Sequence, residues 1–205
     1  MSIRNYIRNF YRHICPVIYK GENNTIKIES KLKKFTIDIS GNNNNVTIDD
    51  GCLLTNGSVS IVGDSNQLII ESGVRIYGPL RIDAKDGATV IIRKEARLRG
   101  VHIVCESGKV EYGSDSTASY NVVIRNTDSH SIFDLDSNER INSPKDVVIG
   151  KHVWLAQNAM ILKGVTIGNN SIIGAGAIVT KDCPPNSIMV GNPAKVVKEN
   201  VYWER

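Results

Sequence analysis

Between Val147 and Asp182 an aliphatic residue returns every six positions, at Ile149, Leu155, Ile161, Ile167, Ile173 and Val179. Each has a small or aliphatic companion two residues earlier, at Val147, Val153, Ala159, Val165, Ser171 and Ala177. A helix presents one face about every 3.6 residues and a strand about every 2.0. A strict six-residue beat fits neither alone and marks an internal repeat, in which the chain turns a corner after each very short strand. Three such repeats close a triangular coil.

Upstream, from Gly21 to about Gly113, the same idea recurs with looser spacing. Pairs such as Ile37/Ile39, Val46/Ile48, Val59/Ile61, Leu68/Ile70 and Val90/Ile92 predict short strands with two inward side chains each. Between them lie GENN, GNNNN, GDSN and KDG, whose Gly, Asn and Asp suit the left-handed conformations of corners. Stacked at about 4.8 Å, roughly ten coils would make a prism on the order of 50 Å long. The beat fails over 125–146, RNTDSHSIFDLDSNERINSPKD, which predicts a protruding loop; a long break in a compact repeat is more often functional than decorative. At the end, CPPNSIMVGNPAK stops the coil, and VVKENVYWER predicts a last helical turn.

Residues 1–20 read differently. Ile3, Ile7, Phe10, Ile14 and Val17 lie three or four apart, with Arg4, Arg8 and Arg12 on another face, which predicts a short basic amphipathic helix. It is expected to cap the open end of the solenoid, with peripheral contact to an anionic membrane as the alternative. The expected division is therefore 1–20 helix, 21–200 solenoid with its loop, and 201–205 tail.

Composition narrows the classes. In 205 residues, 41% hydrophobic and only 6% aromatic, the core must be built from small branched side chains, as an all-β solenoid requires. A net charge of +4 is too weak to argue for nucleic acid. Cys15, Cys52, Cys105 and Cys183 are far apart, so neither a disulfide framework nor a metal site is expected, and a reducing cytoplasm fits.

The strict hexads, the histidine-bearing loop, IGAGAIVTKD and PPNSIMVGNPAK resemble the hexapeptide-repeat acyltransferases. More narrowly, IRNTDSHSI, NERIN, KDVVIGKHVWL and ILKGVTI are similar to the capsular polysaccharide O-acetyltransferases, polysialic acid enzymes included, and to galactoside and maltose acetyltransferases. The resemblance implies a left-handed parallel β-helix, a homotrimer with active sites at subunit interfaces, acetyl-coenzyme A as acyl donor and a sugar or polysaccharide acceptor. It matches His130 to the family's loop base, a role suited to a side chain that ordinarily titrates near about 6.5. Asp128 is the nearest candidate to orient that ring, with Asp134 and Asp136 as alternatives. Trp154 matches the family tryptophan, joins His130 and Asp128 as a catalytic candidate, and is expected to point outward, to stack on a sugar ring, wall the acyl pocket or pack in a subunit interface. Ala156 stands where relatives usually carry glycine, and Gly100 where sugar acetyltransferases carry an asparagine.

For the coenzyme, the resemblance implies Gln157, Ala175, Gly176, Thr180, Lys181, Lys195 and Lys198; for the acceptor, Asn126 and Arg140 beside Trp154. Three rivals remain at this point. An N-acetyltransferase of an amino sugar nucleotide keeps the fold. A zinc carbonic anhydrase needs three converging histidines, whereas His130 has no second histidine beside it in sequence. A non-catalytic solenoid would leave the loop without a purpose.

Overall fold

The computed structural model of the protein describes residues 16–205. The amphipathic helix expected over residues 1–20 lies outside them except for its last residues, and these form a strand, Val17–Lys20. No helix occurs among the described residues.

The strands stack in register on three faces. On the first face, Val17–Lys20 is followed by parts of Leu32–Ser40, Leu53–Val62, Leu80–Ile92 and Val101–Tyr112, then by Val122–Arg125, Met160–Ile161 and Ile178–Val179, all parallel. That is eight coils, not ten. The reason lies in the corners: Val46 sits beside Leu68 and Leu68 beside Val90, each twenty-two residues on, whereas Trp154 sits beside Ile172 after eighteen. Wide corners upstream consume chain without adding rungs, so the prism is about 35–40 Å long at 4.8 Å per rung. Where a corner is gentle a single strand serves two faces, as Leu80–Ile92 does.

The alternation in sequence becomes the core. Ile37, Val46, Ile61, Leu68, Ile82, Val90, Ile103, Ile124, Ile149, Leu155, Ile161, Ile167, Ile173 and Val179 all lie within 1% of full burial, stacked along the axis. Each such side chain contributes about 1.5–3 kcal/mol. The asparagines do more than turn corners. At the edge between the first and second faces, Asn44 N–H donates to Asn24 Oδ1, Asn66 N–H and Nδ2 donate to Asn44 Oδ1, and Ala88 N–H donates to Asn66 Oδ1, each at 2.9 Å. Asn44 and Asn66 are 1% exposed, so this ladder satisfies polar groups that would otherwise be stranded in the prism.

The chain closes with a turn. Ile188–Gly191 pairs antiparallel with Ala194–Lys198, so the helical turn expected there is a strand instead. Residues 199–205 then run back along the third face.

Candidate functional site

The insertion leaves the first face after Arg125 and rejoins the second at Val147. Its middle is a small hairpin: Ile141 N–H donates to Ile132 O, Asp134 N–H to Glu139 O, and Phe133 bridges Arg140. One buried side chain holds its base. Asn142, 6% exposed, accepts from Ile132 N–H at 2.7 Å and donates to the His130 carbonyl at 2.8 Å and to Asp128 Oδ2 at 2.9 Å. Lys163, on the next coil, donates to both Asp128 Oδ2 and the Asn142 carbonyl. The bond from Lys163 works against a small burial penalty and, with Asn142, holds the Asp128 carboxyl below its usual value. Ser129, at φ +68°, turns the backbone so that His130 follows it outward.

His130 is exposed, and its imidazole makes no hydrogen bond among the described residues. Asp128 therefore does not orient the ring in this structure; its carboxylate is committed to Lys163 and Asn142. Asn126 also differs from its expected role as an acceptor contact. It is fully buried: its Oδ1 accepts from Glu106 N–H at 2.8 Å, and its Nδ2 donates to the Glu106 and Ser107 carbonyls. A side chain so enclosed anchors the start of the insertion and has nothing left for a ligand. Arg140 is half-buried on the hairpin, with Nε near Asn142 Oδ1 at 3.5 Å.

Trp154 points outward from the third face, 39% exposed, as expected. Its neighbour is a residue that no motif or periodicity singles out. The tail brings Trp203 within 6.0 Å of Trp154 between ring centroids, tilted by 46°. Trp203 stacks on His152 at 4.2 Å, donates Nε1 to the His152 carbonyl at 2.9 Å, and is followed by Arg205, which donates to Asp115. His152 Nδ1 completes the clamp, 2.7 Å from Asp115 Oδ2. Burial opposes the charge on Asp115, yet the bonds from His152 and Arg205 outweigh it and hold its carboxyl below the usual value. Between the two tryptophans and Arg97, Arg99 and Glu204 lies a cavity of about 380 Å³.

The loop and Trp154 are not brought together within one chain. The insertion springs from the edge between the first and second faces, and Trp154 from the third. The residues expected to hold coenzyme are all exposed and cluster on the last coils. Gln157, Ala175 and Gly176 sit at the corner leading back to the first face, Thr180 and Lys181 just past its last strand, and Lys195 and Lys198 on the closing strand. One detail differs: the Gly176 N–H is spent on the Gln157 carbonyl at 2.9 Å and is not free for a ligand.

The buried thiols are inert, with Cys105 pushed up to about 12 by burial and Cys183 raised for the same reason. Among the described residues no three His, Cys, Asp or Glu side chains are placed to hold a metal ion. No described helix is long and apolar enough to cross a membrane.

A triangular solenoid of six-residue repeats, interrupted once by an ordered loop that presents a histidine, defines a class. Residues 146–181 match the family described as bacterial transferase hexapeptide (six repeats), and the chain belongs to the hexapeptide-repeat acyltransferases. Within that family it is similar to a polysialic acid O-acetyltransferase of Neisseria meningitidis, at 38% identity over 91% of this chain and 88% of that protein. A second polysialic acid O-acetyltransferase, from Escherichia coli O1:K1, is 38% identical over 60% of this chain and 41% of that protein. Crystal structures of a polysialic-acid-specific acetyltransferase and of a polysialic acid O-acetyltransferase superpose with TM-scores of 0.87 and 0.86, at 35% and 37% identity. Both alignments cover 92% of this chain, with 88% of the first structure and 92% of the second.

Proposed function

We propose that the protein transfers acetyl from acetyl-coenzyme A to a sugar hydroxyl of a capsular or related surface polysaccharide, by direct transfer in a ternary complex, with His130 as general base. The observation that carries this reading is the exposed, unpartnered His130 imidazole on a loop whose base is fixed by Asn142, Asp128 and Lys163. A base must be positioned and still have a free nitrogen for the substrate proton. His130 takes the hydroxyl proton as the oxygen adds to the thioester carbonyl, and returns it to the departing thiolate. A covalent acyl-enzyme on Cys105 or Cys183 is disfavoured, because both thiols are buried and their acidity is suppressed. Gln157, Thr180, Lys181, Lys195 and Lys198 offer an exposed, largely cationic strip for the coenzyme's amide arm and phosphates.

We further read the working unit as a homotrimer, with each site shared by two subunits. His130 and Trp154 lie on different sides of the prism, and the hairpin exposes Ile132, Phe133, Leu135 and Ile141, with Leu135 99% exposed. An apolar loop tip of this kind is suited to the face of a second copy. Buried free thiols fit a reducing, cytoplasmic setting.

The test is acetyl-coenzyme A consumption by wild type and His130→Ala, against sialic acid polymers, neutral hexoses and amino sugars. His130→Ala is expected to lower turnover by about 10² or more while coenzyme binding is kept. Near-normal turnover in the variant would remove His130 from the mechanism, and transfer only to amines would replace the hydroxyl acceptor.

A further inference from the structure

Three arginines on the third face, Arg75, Arg97 and Arg99, remain unexplained by the transfer step. Arg75, Arg97, Thr117 and Trp154 stand in register on successive coils, so they form one outward column. Arg99 lies two residues beyond Arg97, on the same outward side, with its guanidinium 5.8 Å from the centre of the Tyr77 ring. Elsewhere on the solenoid Arg93 is paired, with Glu71 and Glu111 at 2.7 and 2.8 Å. Among the described residues, no carboxylate pairs with Arg75, Arg97 or Arg99. Arg97 is the most telling: its Nε is withdrawn from solvent and has no hydrogen-bond partner. A buried guanidinium nitrogen left unsatisfied is costly, and it calls for an acceptor from outside the chain, whether a water, an ion or a ligand group.

The same arginines line the 380 Å³ cavity whose other walls are Trp154 and Trp203. Trp203 is there because the tail is clamped: Arg205 is spent on Asp115, and the indole is held by His152. Planar rings beside two guanidinium groups that lack a carboxylate partner match a pyranose carrying a carboxylate, since the apolar sugar face stacks on an indole and the carboxylate takes a bidentate fork. Glu204 also lines the cavity and opposes an anion there, leaving the two arginines in excess over one carboxylate.

We infer that this groove is a binding subsite for an acidic sugar unit of the acceptor, read by Arg97 and Arg99 and walled by Trp203 of the C-terminal tail. The inference rests on the acceptor reading above and deepens it. Trp203 then acts as a specificity residue, and the column running down to Arg75 would follow an acidic chain along the axis, one rung of about 4.8 Å at a time.

The shared chemistry, an anion on arginine, also describes the coenzyme's phosphates, so the experiment separates the two. The full-length protein is titrated by tryptophan fluorescence with oligosialic acid, a neutral maltooligosaccharide of equal length, and coenzyme A. Wild type and the Arg97→Gln/Arg99→Gln variant are compared, and KM and kcat are measured for each acceptor. The variant should raise Kd and KM for the acidic oligomer about tenfold or more, flatten their salt dependence, and leave kcat and coenzyme affinity within about twofold. Glu204→Gln should tighten the acidic oligomer by about two- to threefold, an outcome that a folding defect cannot mimic. Unchanged acidic-oligomer affinity in the double variant, or loss of coenzyme affinity in its place, overturns the inference. Wild type that acetylates neutral glycans without binding the acidic oligomer also overturns it, while leaving the acetyltransferase intact. Acidic-oligomer binding without acetyl transfer to any acceptor supports the subsite and sinks the proposed reaction.

Discussion

Two appendages leave the solenoid, the insertion of residues 126–146 and the tail of residues 199–205, and they are fastened by the same device. Each is tied to the coils through one carboxylate held below its usual pKa: Asp128 by Lys163 and Asn142, Asp115 by His152 and Arg205. They differ in what lies at the centre. Asn142 is 6% exposed and carries three of the bonds at the loop base, whereas the tail leans on a ring stack and surface bonds. The insertion should therefore behave as a rigid mount for His130, and the tail as an adjustable wall. Catalysis tolerates little looseness at the base but can tolerate an adaptable acceptor site.

That contrast can be broken experimentally. Asn142→Ala removes the hub, strands the Ile132 N–H, and lets the His130 segment wander. Turnover should fall about 10–100-fold with the solenoid's far-UV spectrum unchanged; a fall below about twofold would mean that the mount is not needed. Asp115→Asn should release the tail and raise the acceptor KM several-fold, with kcat nearly kept and faster proteolysis after Lys198. Equal losses in kcat would make the tail as rigid a part of the machinery as the loop. Acid has the smallest effect. Both carboxylates titrate lower in the folded chain than in the unfolded one, so their contribution is complete above the unfolded value of about 3.9 and fades as pH falls through the lowered folded values. Both appendages should then stay ordered at pH 5, as followed by Trp203 fluorescence and by histidine NMR signals; detachment of either between pH 7 and 5 would contradict the assigned anchors.

Much of this was legible in the sequence, for a physical reason. A six-residue beat from Ile149 to Val179 has no rival explanation, and it predicts the buried stack directly. That His130 would stand on a protruding loop and that Trp154 would point outward was legible, because a break in a repeat and a ring too large for a narrow coil are visible without coordinates. Coil number was less legible, since corners absorb a variable length of chain that hydrophobic pairs do not count. The anchoring residues were hidden. Asn126 and Asn142 sit in polar motifs where ligand contact and self-satisfaction look alike, and only burial separates them. Trp203 meets His152 from fifty-one residues away, a contact that no local pattern encodes.

The central claim, that two chains together build one acetyl-transfer site, is tested most directly by complementation. His130→Ala and Trp154→Ala variants, each nearly inactive alone, are co-expressed with different tags and the mixed assemblies assayed. If His130 of one subunit serves Trp154 of the next, equal mixing restores about a quarter of wild-type sites, because half of each partner is intact. Mixed assemblies no more active than either parent would place both residues in the same subunit's site and contradict the account.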